Sequence, residues 1–381
     1  MKKIINYGNH YISHDDILSV TNALKEKKIT QGHIVERFEN KLNLFFNSKY
    51  TLAVSSGTAA LHLSMLSLNL SKKDKVITSP ISFLASANCV EYVGAKVDFC
   101  DIDKNNYTMN PNLLEDKLKK DKNIKAAIVV DYAGHPAAWE DFLYLKKKYK
   151  IILVNDNCHA FGSKFNNDED YAIKYADIVT QSFHPVKQIT TGEGGAIITN
   201  NKNLYSKAKL LRSHGMIRND NKNTEPWIYS MNELGYNYRL PDINCALGIS
   251  QLKKIKIFIK KRRQIAEIYT KNLSLDCIKL PKNDKNIFHS HHLYPIQINF
   301  KNLKIDKKTF FKKMMKQNIN LQVHYIPIHL QNYYRKKYGF KKGDFKIAEN
   351  FYKNEVSLPI YYTLTEKQQY RVINVIKKIL K

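Results

Sequence analysis

Short β-branched runs alternate with helical or loop stretches through the first half of the chain, and this alternation restricts the possible folds more than any other feature. Strands that return to one sheet through a helix lie parallel to each other. The pattern therefore predicts an α/β fold with a mostly parallel central sheet covered by helices. The predicted strands are residues 51–55, 76–80, 96–101, 125–131, 151–156 and 177–183.

The pattern changes after residue 240. A lysine-rich helix is predicted over residues 243–268, with Ile259 as the position of any break. Extended segments follow at residues 293–300 and 319–324, and Thr363 with Glu366 predicts the start of a last helix. Because 381 residues suffice for two cores, we predict a large α/β domain and a smaller C-terminal α+β domain, at residues 1–245 and 246–381.

Lysine and arginine outnumber aspartate and glutamate by 28. The basic residues are scattered along the chain, and the one local cluster, K-K-R-R at residues 260–263, has no interleaved aromatic residues. Nucleic-acid binding proteins usually concentrate their positive charge in a patch or stripe. We therefore predict no nucleic-acid partner, but we expect the positive surface to attract a small polyanionic substrate.

Features of membrane and secreted proteins are missing from the sequence. No apolar run approaches the ~20 residues of a membrane-spanning helix, and no apolar segment follows the two lysines near the start. The five cysteines lack C-x-x-C spacing, which is typical of free thiols in a reducing compartment. We expect a cytoplasmic protein that does not associate with membranes.

Residues 181–200 combine a strand end, a turn at Pro185 that carries Lys187, and a glycine-rich return into a second strand at residues 196–199. The proline restricts the backbone of the turn and so holds the lysine in place. Lysine in a partly dry pocket can lose its proton and bond covalently to carbonyl compounds. The alternative is an ordinary solvated lysine, since lysine is abundant in this chain.

Several other candidate residues follow the predicted strands directly. In open α/β sheets, ligands bind beyond the carboxyl ends of the strands. Gly57 and Thr58 lie at a strand-to-helix junction that suits an anion, although an ordinary helix cap fits the same residues. Asp156 with His159 could serve a cofactor ring or cap a helix, and Phe83 could stack on a ring or belong to the core.

Two histidine-rich segments occur in the second half, F-H-S-H-H at residues 288–292 and H-Y-I-P-I-H at residues 324–329. No cysteine or acidic residue stands at metal-ligand spacing beside either segment. The sequence therefore predicts no metal site. Polar contacts to a sugar or a phosphate are the better use for these histidines.

In their order along the chain, these motifs resemble the DegT-type sugar aminotransferases, which are fold-type I, pyridoxal-phosphate enzymes of nucleotide-sugar metabolism. The resemblance spans essentially the whole chain. Within the family, V-H-Y-I-P-I-H-L-Q-N-Y-Y and S-F-H-P-V-K are most similar to the branch that makes UDP-4-amino-4,6-dideoxy-N-acetyl-β-L-altrosamine for pseudaminic acid. The other motifs that carry the resemblance are T-Q-G, A-V-S-S-G-T-A-A-L, S-P-I-S-F-x-A-S-A-N, N-D-N-C-H-A-F-G, T-T-G-E-G-G-A, R-S-H-G and L-G-Y-N-Y-R-L-P-D-I.

The resemblance implies a role for each matched residue. Lys187 is expected to bind pyridoxal 5′-phosphate covalently, Asp156 to pair with its ring nitrogen, and His159 to lie against its ring. Further cofactor contacts are implied for Phe83, Gly57, Thr58, Ala59, Ser182 and Asn237. Because Asn237 matches a residue that reaches the phosphate from a neighbouring subunit, the resemblance also implies a homodimer with shared active sites. Residues on the sugar-nucleotide side are expected to be Gln31, Arg239, His324, Tyr325 and His329.

The implied reaction moves an amino group from L-glutamate to C4 of a UDP-linked 4-keto-6-deoxy-N-acetylhexosamine. Two positions depart from the family pattern: Asn155 stands where a glutamate is frequent, and Gln188 stands where the most similar branch has histidine or asparagine. Two alternatives stay open. The substrate could be another keto nucleotide sugar, such as a GDP-linked precursor of perosamine, or the chain could be a regulatory protein on the same fold.

Overall fold

The computed structural model describes residues 3–218, 225, 227–282 and 284–380. Its α-helices are α1 His14–Leu24, α2 His33–Phe46, α3 Gly57–Ser67, α4 Ala85–Tyr92, α5 Pro111–Lys120, α6 Trp139–Tyr149, α7 Tyr171–Tyr175, α8 Lys202–Arg212, α9 Asp242–Leu252, α10 Ile255–Asn272, α11 Lys307–Lys316, α12 Asn332–Tyr338, α13 Lys346–Asn354 and α14 Glu366–Leu380. Its strands are β1 Tyr50–Val54, β2 Lys75–Thr78, β3 Lys96–Phe99, β4 Ile124–Val130, β5 Ile152–Asp156, β6 Lys164–Phe165, β7 Ile178–Ser182, β8 Gly195–Thr199, β9 Met216–Arg218, β10 Tyr229–Met231, β11 Ile278–Lys279, β12 Ile287–Phe288, β13 Tyr294–Ile298 and β14 Glu355–Leu358.

Seven strands of the described chain form the central sheet, in the order β1-β8-β7-β5-β4-β2-β3. The neighbours from β7 to β3 pair in parallel, whereas β8 is antiparallel to both β7 and β1. This arrangement confirms the predicted mostly parallel α/β sheet. The exception arises because β7 returns directly into β8 through the turn that carries Lys187.

Helices cover both faces of this sheet, because successive strand residues point to opposite sides. On β1, for example, Leu52 and Val54 belong to one core and Ala53 to the other. Buried residues of α2, α6 and α9 complete one core, and those of α3, α4 and α8 complete the other. The carboxyl ends of the parallel strands are thereby held at one common edge.

A third core lies among α10, α11, α14 and the antiparallel sheet β11-β13-β14. Phe258 and Ile259 of α10 pack in a core of the central sheet, whereas Ile265 and Tyr269 of the same helix pack in the third core. The predicted division at residue 245 stays a prediction, and we propose α10 as the element that joins the two domains.

Three local predictions need correction. The long helix breaks at residues 253–254 rather than at Ile259. At this break, the Lys254 ammonium lies 2.6 Å from the Asp16 carboxylate of α1. The cap of α14 is Thr365 rather than Thr363, since Thr365 and Gln368 exchange side-chain hydrogen bonds with each other's backbone N–H groups. Residues 319–324 form only single bridges, from Ile319 and Gln322, instead of a continuous strand.

No helix within the described ranges is both long enough and apolar enough to cross a membrane.

Candidate active site

A cavity of about 660 Å³ opens at the carboxyl ends of the parallel strands. The residues that line it come from motifs that are far apart in the sequence, because the sheet brings their strand ends together. The sequence-predicted residues that line this cavity are Gly57, Thr58, Phe83, Asp156, His159, Ser182, Lys187, His324 and Tyr325.

Lys187 stands on the turn between β7 and β8. Its backbone N–H donates to the His184 carbonyl at 2.9 Å, so the turn itself fixes where the side chain starts. No residue in the described ranges pairs with its Nζ. Burial lowers the pKa of Lys187, while the nearby Asp156 carboxylate opposes this effect. An unpaired cavity amine with a lowered pKa is suited to nucleophilic and proton-transfer chemistry.

Asp156 ends β5 and is almost fully buried, with 6% of its surface exposed. One carboxylate oxygen accepts from the Ser86 hydroxyl at 2.7 Å and the other from the Cys158 N–H at 3.3 Å. These two donors fix the orientation of the carboxylate. Since an ionised carboxylate can accept about four hydrogen bonds, capacity remains for a donor on a bound ring.

The first turn of α3 forms an anion cradle with the end of β7. Ser56 caps the helix by accepting from the Ala59 N–H at 3.0 Å. A Cβ atom on Gly57 would lie 2.7 Å from Cβ of Ser182, so only glycine allows the helix to approach β7 this closely. The half-buried hydroxyls of Thr58 and Ser182 add donors to the positive end of the helix dipole. Ala59 does not line the cavity, and its N–H already donates to the Ser56 cap.

His159 is buried and held at both ring nitrogens. Its Nδ1 accepts from the Ala133 N–H at 3.3 Å, so the proton of the neutral ring is on Nε2, which lies 3.2 Å from the Tyr325 hydroxyl. Burial, followed by the positive charge of Lys187, holds the pKa of His159 well below its ordinary value. The ring therefore stays neutral and fixed in orientation.

Phe83 presents an open aromatic face to the cavity. It is 57% exposed, although it is a large apolar side chain, and its ring centroid lies 6.1 Å from that of Tyr325. Such a face is suited to covering a planar ligand ring.

Besides Ala59, four predicted residues lie away from this cavity. His329 is fully buried, and its Nε2 lies 3.1 Å from Oε1 of Glu349. Its predicted contact with substrate is therefore not supported by its position in this protomer. Gln31 and Arg239 line a separate groove of about 410 Å³, and Asn237 is exposed on the surface.

The structure also adds residues that sequence reasoning missed. Tyr7 reaches the cavity from the N-terminal segment, and Cys158 and His292 line it as well. Gln188 donates to the His159 carbonyl and to the Ser290 hydroxyl. It therefore links the backbone at His159 to the histidine-rich segment at residues 288–292. Tyr7 belongs to no local pattern that distinguishes it from a core residue, whereas Cys158, Gln188 and His292 lie in motifs that the sequence singled out without assigning these residues to the site. Within the described ranges, no cluster of His, Cys, Asp and Glu side chains could hold a metal ion.

Residues 10–377 match the model of the DegT/DnrJ/EryC1/StrS aminotransferase family. The chain belongs to this family. It is 39% identical over 369 residues to a UDP-4-amino-4,6-dideoxy-N-acetyl-β-L-altrosamine transaminase of Campylobacter jejuni serotype O:2, covering 96% of this chain and 94% of the relative.

Solved aminotransferase structures agree with this membership. Helicobacter pylori PseC, an aminotransferase of pseudaminic acid biosynthesis, superimposes with a TM-score of 0.93 at 32% identity, covering 99% of each chain. The PLP form of the Streptococcus pneumoniae sugar aminotransferase Spr1654 superimposes with a TM-score of 0.90 at 25% identity, covering 99% of this chain and 100% of that one.

Proposed function

We propose that this aminotransferase moves an amino group from L-glutamate to C4 of a UDP-linked 4-keto-6-deoxy-N-acetylhexosamine, with pyridoxal 5′-phosphate as its cofactor. The observation that carries the proposal is the unpaired Lys187 amine, which lines the same cavity as the fixed Asp156 carboxylate. The name of the Campylobacter relative supports the sugar, and the PLP form of the Streptococcus structure supports the cofactor.

The chemistry of the cavity residues suits each part of pyridoxal phosphate. The cradle of Gly57, Thr58 and Ser182 suits the phosphate, and the Asp156 carboxylate suits a protonated ring nitrogen. Phe83 offers a face for the ring. The Lys187 amine supplies the group that would attach the aldehyde carbon. When bound, the cofactor supplies an electron sink for the carbanion that forms beside it.

The side chains of this protein hold and move the protons. Lys187 Nζ, with its lowered pKa, takes a proton from the α-carbon of the amino donor and, in the second half of the reaction, delivers one to C4 of the sugar. Asp156 keeps the proton on the ring nitrogen. His159 stays neutral and fixes the ring plane, because both of its nitrogens are engaged. The net positive charge of 28 favours the approach of the nucleotide diphosphate.

The absorption spectrum of the purified protein tests this proposal directly. After incubation with pyridoxal phosphate and removal of the excess, we expect a visible absorption band that fades when L-glutamate is added, with release of 2-oxoglutarate. Addition of the keto sugar should restore the band. A protein that stays colourless after the same treatment would contradict the proposal and favour the regulatory alternative, which salt-dependent DNA binding would then test.

A second candidate substrate is a GDP-linked 4-keto-6-deoxymannose. GDP-perosamine synthase of Escherichia coli O157:H7 is 31% identical over 339 residues, covering 89% of this chain and 88% of the relative. Mass spectrometry of the products formed from a panel of UDP-, GDP- and dTDP-linked keto sugars separates the two candidates. A preference for the GDP sugar in kcat/KM would replace the UDP sugar in our proposal.

We propose a homodimer in which each active site uses residues of both subunits. Asn237 is exposed and does not line the Lys187 cavity, so it is available to a neighbouring subunit. The apolar side chains of α1 are also open to solvent in one protomer: Ile17 is 57% exposed, Leu18 49% and Leu24 56%. An apolar helix face of this kind is suited to a subunit interface.

We also propose a cytoplasmic location, because all five cysteines are free thiols.

Substituting Asn237 by alanine is expected to impair the site of the partner subunit. Loss of a hydrogen bond to a phosphate costs about 1.5–3 kcal/mol, which is roughly 10- to 100-fold in cofactor affinity. A heterodimer of Lys187→Ala and Asn237→Ala subunits should regain one intact site. Its activity should therefore exceed that of either homodimer, measured on heterodimers purified through two different tags.

The matched control places both substitutions in one subunit and pairs that subunit with the wild type. If the sites are shared, this heterodimer contains no intact site and stays nearly inactive. If each site is built from one subunit, this heterodimer keeps a wild-type site and the first heterodimer recovers nothing. That reversed pattern would refute shared sites.

A further inference from the structure

A buried carboxylate lies behind the cavity, in hydrogen-bond contact with His324. Glu355 opens β14 and has no exposed surface. Its Oε2 accepts from the His324 backbone N–H at 3.0 Å, and its Oε1 accepts from the Ser357 hydroxyl at 2.6 Å. The Ser357 oxygen in turn lies 2.8 Å from Nδ1 of His324. Glu355, Ser357 and the His324 ring therefore form a continuous chain that ends at the cavity wall.

The other ring nitrogen of His324 is free to meet a ligand. His324 lines the cavity, and no described residue forms a hydrogen bond with its Nε2. Tyr132 donates its hydroxyl proton to the His324 carbonyl, which fixes the backbone beside the ring. Whether Nε2 presents a hydrogen-bond donor or an acceptor to a bound sugar or nucleotide thus depends on which ring nitrogen carries the proton.

That choice follows from the single proton of the Ser357 hydroxyl. When Glu355 is ionised, Ser357 must donate to it, so Nδ1 of His324 carries the ring proton and Nε2 is an acceptor. When Glu355 is protonated and donates to Ser357, the hydroxyl donates to Nδ1. The ring proton then moves to Nε2, which becomes a donor.

We propose that Glu355, acting through Ser357, is a positioning residue that determines whether His324 presents a hydrogen-bond acceptor or a donor to the substrate. The ligand groups that distinguish the two states are those with one hydrogen-bonding role, such as a carbonyl oxygen or an amide N–H. The inference rests on the proposed function only in taking the nucleotide sugar as the occupant of the cavity.

The electrostatics of the buried groups allow both states. Burial raises the pKa of Glu355 above its ordinary value, against the lowering effects of the Ser357 hydroxyl and the Lys307 ammonium, and burial lowers the pKa of Lys307 in turn. Burial and the charge of Lys187 lower the pKa of His324 to about 3, so its ring remains neutral while Glu355 titrates. The ionisable groups that interact with Glu355 are Lys307 of α11, Tyr132 and Tyr325. His324 Nε2 is therefore a donor below the pKa of Glu355 and an acceptor above it.

Nitrogen-15 NMR of the full-length holoprotein, labelled at histidine, measures the tautomer without any substrate. The His324 signals are assigned by their loss in His324→Gln. In the wild type, we expect the ring proton to move from Nε2 to Nδ1 as the pH rises through the raised pKa of Glu355. Glu355→Gln keeps the shape of the side chain and donates from its amide to Ser357, so it should hold the proton on Nε2 at every pH.

Steady-state kinetics supply the functional readout. The KM for the keto sugar should change by roughly tenfold across the same pH range in the wild type, the effect of one mismatched hydrogen bond. This dependence should vanish in both Glu355→Gln and Ser357→Ala. Glu349→Gln, which alters a carboxylate bonded to His329 instead, is the matched control and should keep the wild-type profile.

A His324 tautomer that does not change with pH in the wild type would overturn the inference. A pH-dependent tautomer switch that persists in Ser357→Ala would also overturn it. If Glu355→Gln does not fold, Ser357→Ala replaces it as the test variant. Because the NMR readout needs no turnover, failure of the relay is distinguishable from failure of the proposed reaction.

Discussion

Substituting Lys187 by alanine is expected to abolish turnover while leaving the fold intact. In the proposed function, Lys187 supplies both the amine that would attach the cofactor and the base that would move the proton, so kcat of the variant should fall at least about 10⁴-fold. Since Nζ of Lys187 pairs with no described residue and is largely desolvated, its removal costs no internal hydrogen bond. The midpoint of urea unfolding should stay the same or rise, because an unpaired buried cation destabilises the native state. Rapid-quench assays and urea titrations of the cofactor-free protein measure the two effects.

Two further variants make this result specific. Lys187→Arg keeps the positive charge but supplies neither the free amine nor a base, so it should be as inactive as the alanine variant. Lys174→Ala removes an exposed lysine whose partners among the described residues are Asp168 and Tyr175 near the surface, so it should keep wild-type activity. Near-normal turnover in Lys187→Ala would refute the role that we assign to this residue.

Substituting Asp156 by asparagine is expected to lower kcat by about 10²- to 10³-fold, the range seen when one preorganised electrostatic contact is lost. The amide oxygen can still accept from the Cys158 N–H, and the amide NH2 can donate to the Ser86 hydroxyl, so the local structure should persist. A neutral amide would not stabilise a positive charge on the ring nitrogen of a bound cofactor, however, which would weaken the electron sink that the cofactor supplies. Cofactor binding should therefore weaken much less than the rate of the half-reaction with L-glutamate. Spectroscopic titration gives the affinity, and stopped-flow absorbance gives the rate.

Asp98→Asn is the matched control for this prediction. Asp98 lies on β3 and forms an ion pair with Lys117 at 2.7 Å, outside the cavity. Its substitution should leave the half-reaction unchanged. An Asp156→Asn variant with the wild-type rate would remove Asp156 from its proposed role.

The strand pattern predicted the central sheet because the relevant signal is local. Runs such as residues 151–156 are short and apolar, and the stretches between them are long enough for the crossovers that parallel strands require. The antiparallel placement of β8 was not predicted, because the segment between β7 and β8, residues 183–194, does not fix the direction of the second strand. The exact helix boundaries were also less predictable: Lys254, between α9 and α10, pairs with Asp16, which is far away in sequence.

The sequence-predicted residues that meet in the cavity are those that follow strand ends or the β7–β8 turn. Gly57, Asp156 and Lys187 come together because the sheet places these ends at one edge. His329 does not reach the cavity, although it is only four residues from Tyr325, because it pairs with Glu349 in the interior. Sequence proximity alone therefore did not separate a cavity residue from a structural one.

By itself, the sequence predicted the α/β sheet and the meeting of Lys187, Gly57 and Asp156 at its edge, because these depend on short-range patterns and on the geometry common to parallel strands. Only the tertiary structure decided the protonation and orientation of the histidines. His159 owes its tautomer to Ala133 and Tyr325, and the His324 ring is linked through Ser357 to Glu355. Such hydrogen bonds join distant segments whose meeting no local pattern records, since they form only after the hydrophobic cores have packed.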